Sequence, residues 1–154
     1  SLILRQQPVA SDLRQVSTAL KVVTDLERIG DHASDIAELI LRIKSEHAYH
    51  IVKHLPVMAA SAGRMVHDAI EAFIDQDLDA AMEIIDRDDE VDTLFNQVKE
   101  DVIHLLKSSP DQADQGIDLL MVAKYLERIG DHAVNVCEWT QFSKTGALKN
   151  VRIM

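Results

Sequence analysis

Aromatic side chains are scarce in this sequence, at 4% of 154 residues, although 47% of the residues are hydrophobic. Ala, Leu, Ile and Val therefore carry the apolar load. With five Gly and three Pro besides, this composition favours helices over sheets, and no stretch shows the period-two alternation of a strand. The single cysteine, Cys137, excludes an intramolecular disulfide and fits a reducing cytoplasm. No apolar run approaches the ~20 residues that span a bilayer, and none reads as a signal peptide. Basic residues are also few: 16 Lys and Arg stand against 26 Asp and Glu, a formal charge of -10. Such a surface repels nucleic acid and anionic membranes, so neither is an expected partner. It disfavours free phosphate too, unless a metal or a local Arg cluster reverses the field. There is no Gly-rich phosphate loop. The chain opens on Ser1-Leu2-Ile3-Leu4 rather than Met, as a piece cut from a longer protein would.

What the sequence does have is an octamer, twice. Leu26 to Ala33 and Leu126 to Ala133 both read L-E-R-I-G-D-H-A, offset by 100 positions. Identity on that scale means a duplicated structural unit. Glu27 and Asp31, and again Glu127 and Asp131, lie four residues apart. On a helix that spacing puts both carboxylates on one side, ~6 Å apart along the axis.

Helical periodicity organises the rest. From Pro8, suited to a first turn, to about Glu46, apolar residues including Val16, Val22, Val23, Leu26, Ala33 and Ile40 recur at three- and four-residue steps. This predicts one helix of roughly ten turns, with Gly30 on its apolar face where a neighbouring helix comes close. His47 to His54 breaks the pattern. Further helices are expected near 56–75, 78–107 and 110–143, started by Pro56, by Asp77 as N-cap and by Ser109-Pro110. Gly130 repeats the role of Gly30, and Gly146 and the tail after it read as a frayed end. Short connections make chain neighbours antiparallel, so the expected fold is an all-α antiparallel bundle of four helices.

With Leu26 at the centre of the apolar face, Glu27, Asp31, Asp35 and Glu38 cluster well over 90° away, near solvent. The second copy has Glu127, Asp131, Asn135 and Glu138 in the same frame. Read plainly, this is a solvated acidic face. Against that, like charges at four-residue spacing destabilise a bare helix, and the stripe is duplicated while its surroundings have diverged. A matching pair, Asp88 and Asp92, flanks the apolar face of the third helix. Set antiparallel to the fourth, that helix can face Asp88 and Asp92 towards Glu127 and Asp131. Four carboxylates there make an open, water-rich, hard-oxygen site for Fe, Mn, Zn or Mg. His32 and His132 are rotated away from the stripe and read as surface or neighbouring groups rather than ligands.

An enzyme is a weaker reading. His67-Asp68 is the dipeptide of HD-type metal-dependent phosphohydrolases, but the further ligands those need are not evident. Glu100 and His104 form one more four-residue pair of a kind common on helices. Cys137 lies among apolar neighbours and Trp139 reads as packing.

At the octamers, with Arg5-Gln6-Gln7-Pro8 through Arg14 before the first and Asp88 to Asp92 before the second, the chain resembles the PhoU family of phosphate-uptake regulators. The resemblance covers essentially the whole chain. It implies a tandem of three-helix bundles, with residues 1–50 as the third helix of a first repeat and 51–154 as a complete second repeat. The first two helices of the template would then be missing. It also implies iron or zinc in a multinuclear carboxylate site, Mn or Mg being further possibilities. Carried over by residue, the ligands are Glu27, Asp31, Asp35, Asp88, Asp92, Glu127 and Asp131, with Asn135 standing where the first copy has Asp35. The implied role is negative control of phosphate-starvation signalling from the cytoplasm, through contact with a sensor histidine kinase and a phosphate-transporter ATPase. It implies no enzyme activity. PhoU-like bundles also form the soluble domain of sodium–phosphate cotransporters, which stays open as an alternative. Without its first-repeat partners, the long first helix is expected to fold onto the second bundle or to pair with a second copy; pairing, as a homo-oligomer, is the preferred expectation.

Overall fold

A computed structural model describes residues 2–146, with side chains described from residue 9 onward. Six α-helices follow in order: α1 (Leu2–Arg42), α2 (Glu46–Ile51), α3 (Leu55–Asp75), α4 (Leu78–Asp86), α5 (Asp88–Ser108) and α6 (Ala113–Thr145), with a 3₁₀ turn at Pro110–Gln112 before the last. No strand occurs among the described residues. The all-α bundle expected from composition and periodicity is the fold observed. The tail after Gly146 lies outside the described residues.

Three boundaries differ from expectation, each for a local reason. Helix α1 begins at Leu2, not at Pro8, and ends at Arg42. Proline's missing N–H leaves one upstream carbonyl without its helical partner, which a long helix tolerates near its end. At the other end the backbone amides of Lys44 and Ser45 both donate to Gln115 Oε1, at 2.9 and 2.7 Å. Ser45 then caps α2, its hydroxyl accepting from the Ala48 amide at 3.1 Å, so the expected break is a short helix. The third expected helix is two, divided at Arg87. Asp88, Asp89 and Glu90 fill the first turn of α5, where the helix dipole favours acids. Arg87 meanwhile reaches back to Asp68 on α3, at 2.7 Å.

Asp77 caps α4 as its position suggests, accepting from the Ala80 amide at 3.0 Å. Asp77→Ala is expected to cost ~1 kcal/mol, read as a lower urea midpoint with an unchanged slope. An unshifted midpoint would mean that the α4 start is held by packing alone.

Helix α6 is the axis of the molecule. The α1, α3, α4 and α5 helices all pack on it. Met58, Met65, Ile84, Val98, Leu105 and Leu119 are among the fully buried side chains of the core. Helices α1 and α5 run antiparallel to α6, as shown by the pairings Arg42–Asp118 and Arg14–Ser143 for α1 and Leu105–Gly116 and Val91–Gly130 for α5.

Helix α1 turns an unexpected face to α6. Thr18, Val22, Asp25, Leu39 and Ile43 are buried, while Val16, Leu20 and Val23 lie exposed on the opposite side. The apolar stripe read from the sequence therefore does not coincide with the packed face. Gly30 illustrates the reversal: a Cβ there would meet nothing within 4 Å. Gly130 is buried, and a Cβ there would lie 3.6 Å from Asp88 Oδ1 and from Val91 Cγ1.

Candidate metal and regulatory site

The two octamers meet across the α1–α6 interface about a local pseudo-twofold. Residues 25 and 32 of α1 face residues 132 and 125 of α6. His132 Nδ1 donates to Asp25 Oδ1 at 2.9 Å, and Asn135 Nδ2 donates to the same oxygen at 3.2 Å. The symmetry-related pair is a ring contact, His32 on Tyr125 with centroids 5.5 Å apart. Between them His32 and His132 approach to 5.6 Å. Burial first, then His132 and Arg128, hold His32 below the ordinary imidazole range, against the opposing pull of Asp35 and Asp31.

The histidines expected at the surface thus include one, His132, that is 2% exposed. Asn135 and Glu138, expected in a solvent-facing stripe, are buried as well. The physical reason is that α6 has neighbours on more than one side, so its least apolar face is still covered. Asp25 was missed by sequence reading. The one available signal was its counterpart Tyr125, a polar-for-aromatic difference immediately before the duplicated octamer.

The carboxylates divide between the two repeats. In the first, Glu27 and Asp31 are exposed, and Asp31 makes a loose pair with Arg28 at 3.9 Å. Asp35 lies 3.9 Å from His32. In the second, Glu127 and Asp131 are half-buried and Asp92 is exposed, whereas Asp88 is buried at 3%. Glu127 accepts from Lys124 at 2.7 Å. The approach of Asp88 to Gly130 brings the start of α5 against the second octamer. A side chain at 130 would fill that space, so Gly130 serves the close approach that sequence reading assigned to it.

These donors are all hard oxygens and fit a hard divalent cation or iron by type. They are not drawn into a tight cluster. Among the described residues, the group with three ligand atoms mutually within 4.8 Å is His67, Asp68 and Glu71. There the Arg87 guanidinium bonds Asp68 and holds its carboxyl below the usual range, with His67 adding to the effect, and the fixed positive charge opposes a cation. The same residues edge a cleft of about 250 Å³ between α3 and α4. The HD dipeptide thus serves as a clasp on the α4–α5 joint. Burial pushes the Cys137 thiol up to about 12, far from a nucleophile's range. Glu100 and His104 are both exposed and join no such cluster among the described residues. No described helix is long and apolar enough to cross a membrane.

The PhoU domain model matches residues 1–40 and 55–140. The chain belongs to the PhoU family. It is 43% identical over 146 residues to the phosphate-specific transport system accessory protein PhoU homolog of Clostridium acetobutylicum, covering 94% of this chain and 67% of that protein. It is 34% identical over 152 residues to PhoU homolog 1 of Thermotoga maritima, covering 98% and 65%. Two crystal structures share the fold. PhoU from Pseudomonas aeruginosa matches with a TM-score of 0.80 at 31% identity, over 95% of this chain and 70% of that one. The phosphate transport system regulatory protein PhoU from Streptococcus pneumoniae matches with a TM-score of 0.79 at 30% identity, over 91% and 66%. The chain spans about two thirds of the length of these PhoU relatives.

Proposed function

We propose that this chain is a non-enzymatic, cytoplasmic regulator of phosphate uptake and phosphate-starvation signalling that acts by protein contact and carries a metal on its second repeat. Asp88 and Asp92 from α5 and Glu127 and Asp131 from α6 would hold the ion, with Glu27, Asp31 and Asp35 as the corresponding first-repeat set. Iron or zinc is favoured, with Mn and Mg as alternatives. A metal there would neutralise crowded carboxylates on a chain of net charge -10 and give the surface a fixed positive centre for an anionic or acidic partner.

The observation that carries this reading is the approach of α5 to α6 at Gly130, which sets Asp88 beside the second octamer. Nothing comparable faces Gly30, so the second repeat is the more complete site. Binding of Fe²⁺, Zn²⁺ and Mn²⁺, followed by calorimetry, is expected to be lost or weakened at least tenfold in Asp88→Ala/Asp131→Ala. Undiminished binding in that variant, or none in the wild type, would leave the stripe as a solvated face.

The partners follow from the relatives' description as accessory proteins of a phosphate-specific transport system. A transporter ATPase and a sensor histidine kinase are the proposed contacts. Co-purification of each with the tagged chain tests them; recovery of neither, under conditions where a full-length relative recovers both, would remove this part of the reading. The cotransporter-domain alternative has no observation here in its favour.

A further inference from the structure

Helix α1 carries an apolar seam on the side away from α6. Leu13, Val16, Leu20 and Val23 stand on it, and Leu20 is 65% exposed. The spacing alternates four and three residues and continues through Glu27, Gly30, Ser34 and Ala37 to Leu41, all of them exposed. That is a heptad seam along ~48 Å of helix. In the second repeat, the residues 100 positions on from Val23, Gly30 and Ala37 are Ala123, Gly130 and Cys137, and all three are buried. The seam is thus the counterpart of a packed face, left open in this chain.

The two halves of the seam differ in size. Its N-terminal half is Val and Leu throughout, and its C-terminal half is Gly, Ser and Ala before Leu41. Two copies laid antiparallel about a twofold at residue 25 set Leu20 on the partner's Gly30, Val16 on its Ser34, and Leu13 on its Ala37. Val9 then meets the partner's Leu41. A parallel pair instead sets large on large and small on small, which leaves gaps.

Charge follows the same rule. Lys21 lies on the flank of the seam that also carries Asp31 and Glu38, and both Lys21 and Asp31 are exposed. In the antiparallel pair Lys21 comes within roughly 3 Å, along the axis, of the level of the partner's Asp31. Asp12 sits on the opposite flank, away from the acids. A seam of this length buries on the order of 500–800 Å² per partner, close to what stable association needs.

We propose that the outer face of α1 is a self-association surface, occupied by α1 of a second copy in antiparallel register with large residues seated on small ones. This does not rest on the metal reading. Light scattering on the 154-residue chain is expected to return twice the mass of one chain. A single-chain mass at tens of micromolar would overturn the proposal and point to a different occupant.

The register has its own test. Gly30→Leu meets nothing within the chain, so the fold, read by circular dichroism, is expected to survive. It would collide with the partner's Leu20 and weaken the dimer at least tenfold. Leu20→Ala/Gly30→Leu exchanges large and small and is expected to restore association. If Gly30→Leu dimerises as well as wild type, or the double exchange fails to recover affinity, the antiparallel register is wrong.

Discussion

Asp25→Ala is expected to lower stability by about 3 kcal/mol, the largest single effect outside the apolar core. Asp25 accepts from His132 at 2.9 Å and from Asn135 at 3.2 Å. All three side chains are buried between α1 and α6. Removing the acceptor leaves a ring N–H and an amide N–H inside with no water to replace it, and each such loss costs ~1–3 kcal/mol. For a chain of this size, that corresponds to a melting temperature lower by roughly 6–12 °C. Tyr125→Phe is the control, since it keeps the pseudo-symmetric ring contact with His32 and is expected to change the melting temperature little. A loss below ~0.5 kcal/mol in Asp25→Ala would mean that the polar pairing adds nothing to the joint between the repeats.

The second large effect comes from one residue in two identical octamers. Gly130→Leu places a branched side chain where a Cβ alone already touches Asp88, Val91 and, at 3.9 Å, Met65. Alanine fits, because 3.6 Å is ordinary contact distance, but leucine has nowhere to go without moving α5. Overpacking of this kind costs ~1–3 kcal/mol, and displacement of α5 would carry Asp88 away from α6. Gly30→Ala goes the other way: with nothing within 4 Å, it gains up to ~1 kcal/mol of helix propensity. Denaturant melts of both variants check the contrast. Equal effects of the same sign would contradict the two environments.

Much was legible beforehand. A composition rich in Ala, Leu, Ile and Val and poor in aromatics, with apolar residues at three- and four-residue steps, determined an all-α chain. Asp77 marked a helix start through its cap chemistry, and the repeated octamer determined that one unit occurs twice. Gly130 was placed rightly on a packed face. Each of these is a short-range matter, decided within a turn or two of helix.

Other features depended on neighbours far along the chain. Identical octamers acquire opposite environments because α6 is enclosed by α1, α3, α4 and α5, whereas α1 has α6 on one side and its Leu13–Val23 face open on the other. The same Gly, at 30 and 130, is exposed in one and packed in the other. A helical wheel can rank faces by polarity, yet it cannot say how many of them will be covered. That is why Asn135, Glu138 and His132 looked solvated and are buried. The division at Arg87 likewise needed Asp68, 19 residues away on α3, and the exposure of the α1 seam needed the position of every other helix. Local sequence determined the helices and their duplication; only packing decided which of their faces meet.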